Sequence, residues 1–449
     1  MRSSGFLAKS VSPLRGNLGG HLIALADQAV VSCASFLAMI AVSRWVDPSQ
    51  LGIYSIATSI VVILLGVQAG LISLPYTIQQ HSALGTASER AGSALAQSGA
   101  LAGVSALLIA GVALTENGST GNSGLAQVLW VLAFASPFLL LREFVRQFSF
   151  ARLRMVEAFA LDAAVAIIQL ATLICLGPLG GISPATACAA LGGACAIIGA
   201  PWLYFARGQF EINRTAPSIA KQGWELAKWL FAAQITALLQ RYVTYWLLAI
   251  VAGSAATGVF AACMSIVTFV NPLIIGLSNL FMPKAVLAFT TGGARPLMRQ
   301  ILRDSLALGA VMIPLSAIIA LNGEQIMRLL YHGADYQGHG STVALLVLAW
   351  LLFASGVPAA IGLASIERPH VIVWAGLFGV AVTVGLVPKF VGAWGLSGAA
   401  WAVLAGSAAE AAVRWIGFSV EWSRRVKEPL ALIDPVVGQD EDASASITR

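Results

Sequence analysis

Apolar stretches of about eighteen or more residues recur along the whole chain, and each is long enough to cross a hydrocarbon core of about 30 Å. A backbone in lipid has no water to satisfy its N–H and C=O groups, so only helices and closed barrels span a bilayer. The stretches are continuous rather than alternating, which reads as helices. Only 10% of the 449 residues are charged, against about 25% in a soluble domain. These features predict an all-α polytopic membrane protein of about twelve spans. Their expected positions are 20–43, 51–74, 92–114, 125–141, 157–177, 185–206, 229–251, 257–282, 304–321, 341–363, 371–388 and 396–418.

The net charge of +6 does not point to nucleic acid, because the basic residues sit between apolar spans. Arg90, Arg142, Arg146, Arg152, Arg154, Lys221, Lys228, Arg299 and Arg424 fall on one side of the expected topology; only Arg44, Arg328 and Lys389 fall on the other. The positive-inside rule then puts both termini in the cytoplasm. The first apolar run is too long for a cleavable signal peptide. The five cysteines form no CxxC pair and read as small core residues.

The basic segment 207–228 lies at the centre, with six spans on each side. This predicts an N-terminal six-helix bundle over 1–206, a cytoplasmic linker, a second bundle over 229–421, and a partly disordered cytoplasmic tail over 422–449. A weak internal match supports a parallel repeat: Gln28 aligns with Gln234, Gly52 with Gly258 and Tyr54 with Phe260. Two such bundles would face each other across a central cavity. In the outer loop 322–340, Ile326, Leu329 and Leu330 suggest a short interfacial helix.

No phosphate loop of the G-x-x-x-x-G-K-[ST] type occurs, nor HExxH, nor a defensible catalytic triad. The expectation is therefore no catalytic residue, no metal and no cofactor. The informative groups are ionisable residues within spans, each costing about 2.5–3.5 kcal/mol at a helix centre on insertion scales. Arg241 falls about twelve residues past Lys228, near mid-membrane at ~1.5 Å per residue. Gln234, Leu238, Arg241 and Tyr245 follow one helical face. A guanidinium fork there suits phosphate or carboxylate; the competing reading is an internal salt bridge. Gln28 is a further candidate cavity residue. Asp27 either binds a coupling cation, partners Arg241, or reaches water at the span edge. Asp162 is a second candidate for ion coupling, although its place near a span end favours a solvated or loop-paired role. Glu410 and Arg414, four apart, are expected to pair. Asn271-Pro272 is expected to kink its span.

The segment from Ala26 to Ala57 resembles the first two helices of the oligosaccharide-lipid flippases in the multidrug/oligosaccharidyl-lipid/polysaccharide export superfamily. The matching features are the early polar pair Asp27-Gln28, Arg44, and the Asp47-Pro48, Gly52, Tyr54 opening. Leu238 to Ala262 resembles that family's second-half opening, with Gln240-Arg241 where Asp-Arg is usual, and 323–337 resembles its outer loop between helices nine and ten. The resemblance implies a transporter, not an enzyme, in the bacterial inner membrane. It would carry a polyprenyl-pyrophosphate-linked oligosaccharide from the inner to the outer leaflet for surface polysaccharide synthesis. Coupling would be to an H+ or Na+ gradient, and the partners would be membrane lipid and a polysaccharide polymerase or glycosyltransferases. The alternatives are a cation-coupled multidrug exporter of the same superfamily and a membrane oligosaccharide polymerase or ligase.

Overall fold

The computed structural model describes residues 18–78, 86–119, 123–211, 216–331 and 333–427. The described residues are helical apart from short connections. The first half contains α1 (Leu18–Ser43), α2 (Pro48–Gln68), α3 (Ala87–Ser119), α4 (Ser123–Ala151), α5 (Met155–Leu176) and α6 (Pro184–Ala206). A π-helical turn, Ala69–Ser73, carries α2 onward into Leu74–Ile78. Proline enters where a first turn has no use for its missing N–H. Asp47 caps α2 ahead of Pro48, its carboxylate accepting from the Gln50 amide. Ser183 and Thr186 close a capping box at Pro184.

Eleven continuous helical stretches among the described residues are long and apolar enough to cross a membrane. Two of them conceal a reversal. Gly253 and Gly395 have positive φ in otherwise helical runs, a conformation that glycine adopts without steric cost. Tyr245 and Phe260 lie on either side of Gly253, yet their rings are 5.4 Å apart. A side chain at Gly398 would strike the carbonyl of Phe390. The chain therefore doubles back at both glycines. This separates α7 (216–252) from α8, and α11 (369–394) from α12 (396–427). The first segment of α8, 254–268, rises only about 22 Å at 1.5 Å per residue; it completes a span by continuing, across the break at 269–270, into Asn271–Gly292. The kink expected at Asn271-Pro272 is thus present. With α9 (Ala294–Leu330) and α10 (Gly340–Ser355 continuing into Val357–Ser365), the count is twelve spans.

Two expectations need correction. The central linker is shorter than 207–228, because α7 begins at Ala216 and runs without a breaker into the apolar span. The outer segment 326–330 is not a separate interfacial helix but the last turn of α9. Asn322-Gly323 does not break α9, and Gly323 lets α10 approach: a side chain there would lie 3.2 Å from Val343. The tail is helical to Lys427; residues 428–449 lie outside the described residues, as do 1–17.

The halves meet along α2 and α7. Side chains added at Gly66 or Gly70 would collide with Leu238 or the Phe231 backbone. Trp246 Nε1 donates to Ser59 Oγ at 2.8 Å, and Ser49 Oγ lies 2.5 Å from Ser254 Oγ. At the end near Ser49, the contact is reciprocal. Gly52 presses on the Ser254 carbonyl, and Gly258 presses on the Pro48 carbonyl. The aligned positions Gly52 and Gly258 thus each touch the aligned counterpart of what the other touches, as a two-fold relation between the halves requires.

Candidate functional site

Each half encloses a cavity. The N-terminal one has a volume of about 280 Å³ and is lined by residues of α1, α2, α4, α5 and α6, plus Tyr242 from α7. The C-terminal one has about 110 Å³ and is lined from α7, α8, α10 and α12. Val31, Ala34, Ser35, Tyr54 and Thr58 line the first; Ala237, Gln240, Arg241, Phe260 and Met264 line the second. Every one of those pairs is separated by the same 206 positions that set Gln28 against Gln234. The two cavities are thus lined at positions matched by one offset, with different chemistry in each.

In the N-terminal half the chemistry is a buried ion cluster. Asp27 on α1, Glu143 on α4 and Asp162 on α5 are all almost completely buried. Arg142 reaches Asp162 with Nη2 at 2.7 Å and Nε at 2.9 Å. Arg146 reaches Asp162 at 2.9 Å, Asp27 at 3.3 Å and Glu143 at 3.4 Å. Gln147 donates to Glu143 at 2.7 Å. Three carboxylates share two guanidiniums, so the cluster holds one acid more than its bases balance. Asp27 Oδ1 is buried with no hydrogen bond. Asp162, Arg142 and Gln169 open on the cavity. Of the solvated or loop-paired role favoured for Asp162, the structure removes the first, since its side chain has no exposure, and gives it Arg142 and Arg146 as partners. It also gives Asp27 a partner other than Arg241. The sequence reading missed Arg142, Glu143 and Arg146 as site residues by placing them in a loop; α4 continues ten residues past 141, to Ala151. Their i, i+3 and i+4 spacing, beside two acids with no assigned counterion, was the available signal.

In the C-terminal half, Arg241 and Arg414 line one cavity together with Gln240, Thr244 and Ser407. Among the described residues no carboxylate pairs with Arg241. Arg414 is paired with Glu410 one turn before it on α12, and its guanidinium lies 5.1 Å above the Phe353 ring. The cavity-facing stripe of α7 is Ala237, Gln240, Arg241 and Thr244, rotated from the expected one. Leu238 is buried against Gly66 of α2. Tyr245 packs its ring against Phe260 and Tyr242. Gln234 and Gln28 are half-buried, and neither they nor Tyr245 line the two cavities.

No protein-family model matches the sequence, and no curated protein matches it. Solved structures do match the fold. An inward-facing multidrug resistance MATE family transporter of the MOP superfamily superposes with a TM-score of 0.73 at 16% identity, over 91% of this chain and 99% of that one. An outward-facing multidrug resistance MATE family transporter of that superfamily gives 0.62 at 15% identity, over 91% and 96%. A MOP superfamily transporter from Pyrococcus furiosus, described as having a binding pocket of reverse polarity, gives 0.67 at 14% identity, over 91% and 95%. The chain has the MATE-type fold, and the fit is better to the inward-facing form.

Proposed function

We propose that this protein is a membrane transporter, not an enzyme, and that it moves a polyprenyl-pyrophosphate-linked oligosaccharide between leaflets of the bacterial inner membrane. The observation that carries this reading is Arg241, a span arginine that opens on a cavity and pairs with no carboxylate among the described residues. Keeping a guanidinium at that depth is costly; an anionic headgroup compensates the charge while its lipid tail stays in the bilayer. The exposed apolar flanks, such as Leu107, Ile250 and Leu321, fit a chain embedded in lipid. In this reading both termini are cytoplasmic, and the halves 1–206 and 229–421 rock about the seam of α2 with α7 and α8. Asp27 and Asp162 couple the cycle to H+ or Na+. A polysaccharide polymerase or glycosyltransferases would act on the same lipid-linked chain.

A second reading, a cation-coupled multidrug exporter, is favoured by the surplus carboxylate in the N-terminal half and by the multidrug transporters that share the fold. Substrate charge separates the two. Purified protein in proteoliposomes should translocate a fluorescent polyprenyl-pyrophosphate saccharide and leave cationic dyes untransported. Dye efflux without lipid translocation would establish the exporter and discard the flippase.

A further inference from the structure

The Glu410–Arg414 pair has an unusual position for a structural ion pair. Both residues are on α12, one turn apart, so the pair joins no two helices. Desolvating two charges is expensive, and a pair within one helix returns little of that cost. Glu410 is fully buried and Arg414 nine-tenths buried. Neither Glu410 oxygen has a hydrogen bond to any other group, and Arg414 Nε has no acceptor. Glycines close over the carboxylate in place of donors: a side chain at Gly379 of α11 would lie 3.0 Å from Glu410 Cβ. A guanidinium offers five N–H donors, and here most of that capacity is unused while the group lines a cavity shared with Arg241.

We propose that this cavity is a phosphate-class anion site in which Arg414 exchanges Glu410 for the ligand, with Arg241 as the second guanidinium. The inference rests on the lipid-linked-anion reading above and deepens it. Three charged groups meet around this cavity, two positive and one negative, so the empty site carries one net positive charge. A phosphate oxygen placed between the arginines competes with the Glu410 carboxylate for the same fork. The volume of about 110 Å³ is far below the roughly 300 Å³ and above of drug-sized pockets. It accommodates a phosphate group and leaves the glycan outside, toward the seam between the halves. Gln240, Thr244 and Ser407 supply neutral donors around it, and Phe353 holds the Arg414 plane in register.

Competition makes an opposite-sign forecast for the two members of the pair. The full chain in nanodiscs is titrated with inorganic pyrophosphate and, separately, with geranylgeranyl pyrophosphate. Glu410→Gln should tighten both about tenfold, because Arg414 is released from its competitor. The neutral pair Glu410→Gln/Arg414→Gln should weaken both at least tenfold without stranding a buried charge, its folding checked by thermal unfolding. Unchanged or weaker binding in Glu410→Gln overturns the proposal, as does a neutral pair that binds like the wild type or a wild type that binds neither probe. If the shifts appear with inorganic pyrophosphate alone, the anion site stands and the lipid-linked reading falls. If the lipid-linked saccharide is translocated but neither variant shifts affinity, the transport reading stands and the exchange does not.

Discussion

Arg241 and Tyr242 are neighbours in the chain and face different cavities: the arginine opens on the C-terminal one and the tyrosine on the N-terminal one. A helix turns about 100° per residue, so α7, standing at the seam, presents consecutive side chains to both halves. It is the shared wall of the two sites, and movement of α7 changes both together.

Arg241 is therefore the first position to test. Arg241→Ala should abolish surface-polysaccharide export while immunoblots of the membrane show near-normal protein, since no carboxylate is stranded by its loss. Arg241→Lys should restore export in part, because it keeps the charge and loses the bidentate fork. If alanine depletes the protein instead, Arg241 is structural.

Arg146 should behave in the opposite way. It serves Asp27, Glu143 and Asp162 at once, and removing one partner of a buried pair costs about 3–5 kcal/mol. Arg146→Met should lower the thermal unfolding temperature and the abundance of the protein. Adding Asp27→Asn should recover much of that loss in the same melt, since it returns the cluster to its original surplus of one carboxylate. A melt unchanged by Arg146→Met would show that the cluster is not what secures α1 and α5 to α4.

The seam predicts a reversible lock. Ser49 and Ser254 approach through their hydroxyls, close enough for a disulfide after substitution. In a background with the five native cysteines replaced, Ser49→Cys/Ser254→Cys should cross-link under mild oxidant, seen as a gel shift after cleavage in the 207–215 linker. The bond should stop translocation, and reductant should restore it. Translocation at full rate with the bond closed would show that this end of the seam stays shut throughout the cycle.

Topology has a direct check. Reporter fusions after Gly118, Gly181, Ser254 and Gly338 should report the periplasm, and fusions after Gly85, Ala216 and Gly293 the cytoplasm. Any of these sites reporting the opposite side would remove the twelve-span arrangement, and Ser254 tests the reversal at Gly253 directly.

Most of the architecture was legible in the sequence, because hydrophobic length is a strong one-dimensional signal and the bilayer enforces it. The Asn271-Pro272 interruption and the Glu410–Arg414 pairing were readable for the same reason, each depending only on near neighbours in the chain. The sites were less so. Arg142 and Arg146 lie just past an apolar run, where a charge reads as the end of a span; only the fold shows α4 continuing, with Asp27 and Asp162 brought to it from two other helices. On α7 Arg241 opens on a cavity, but the stripe it shares there is not the one its spacing suggested. Leu238 and Tyr245 share a helical face with Arg241, but Gly66 draws Leu238 onto α2 and Phe260 takes Tyr245. Which side of a helix faces a neighbour depends on that neighbour, and spacing within one helix does not carry it.

The reciprocal packing of Gly52 and Gly258 has a bearing on how such a chain can change over generations. At most matched positions the two halves differ, to the point that Ser35 in one stands where Arg241 stands in the other. At the seam they cannot. A methyl group on either glycine meets a carbonyl of the opposite half, and that carbonyl belongs to the stretch which bears the other glycine. The two segments are thus free to differ in their cavities, one acidic and one basic, while each remains the template against which the other's joint must fit.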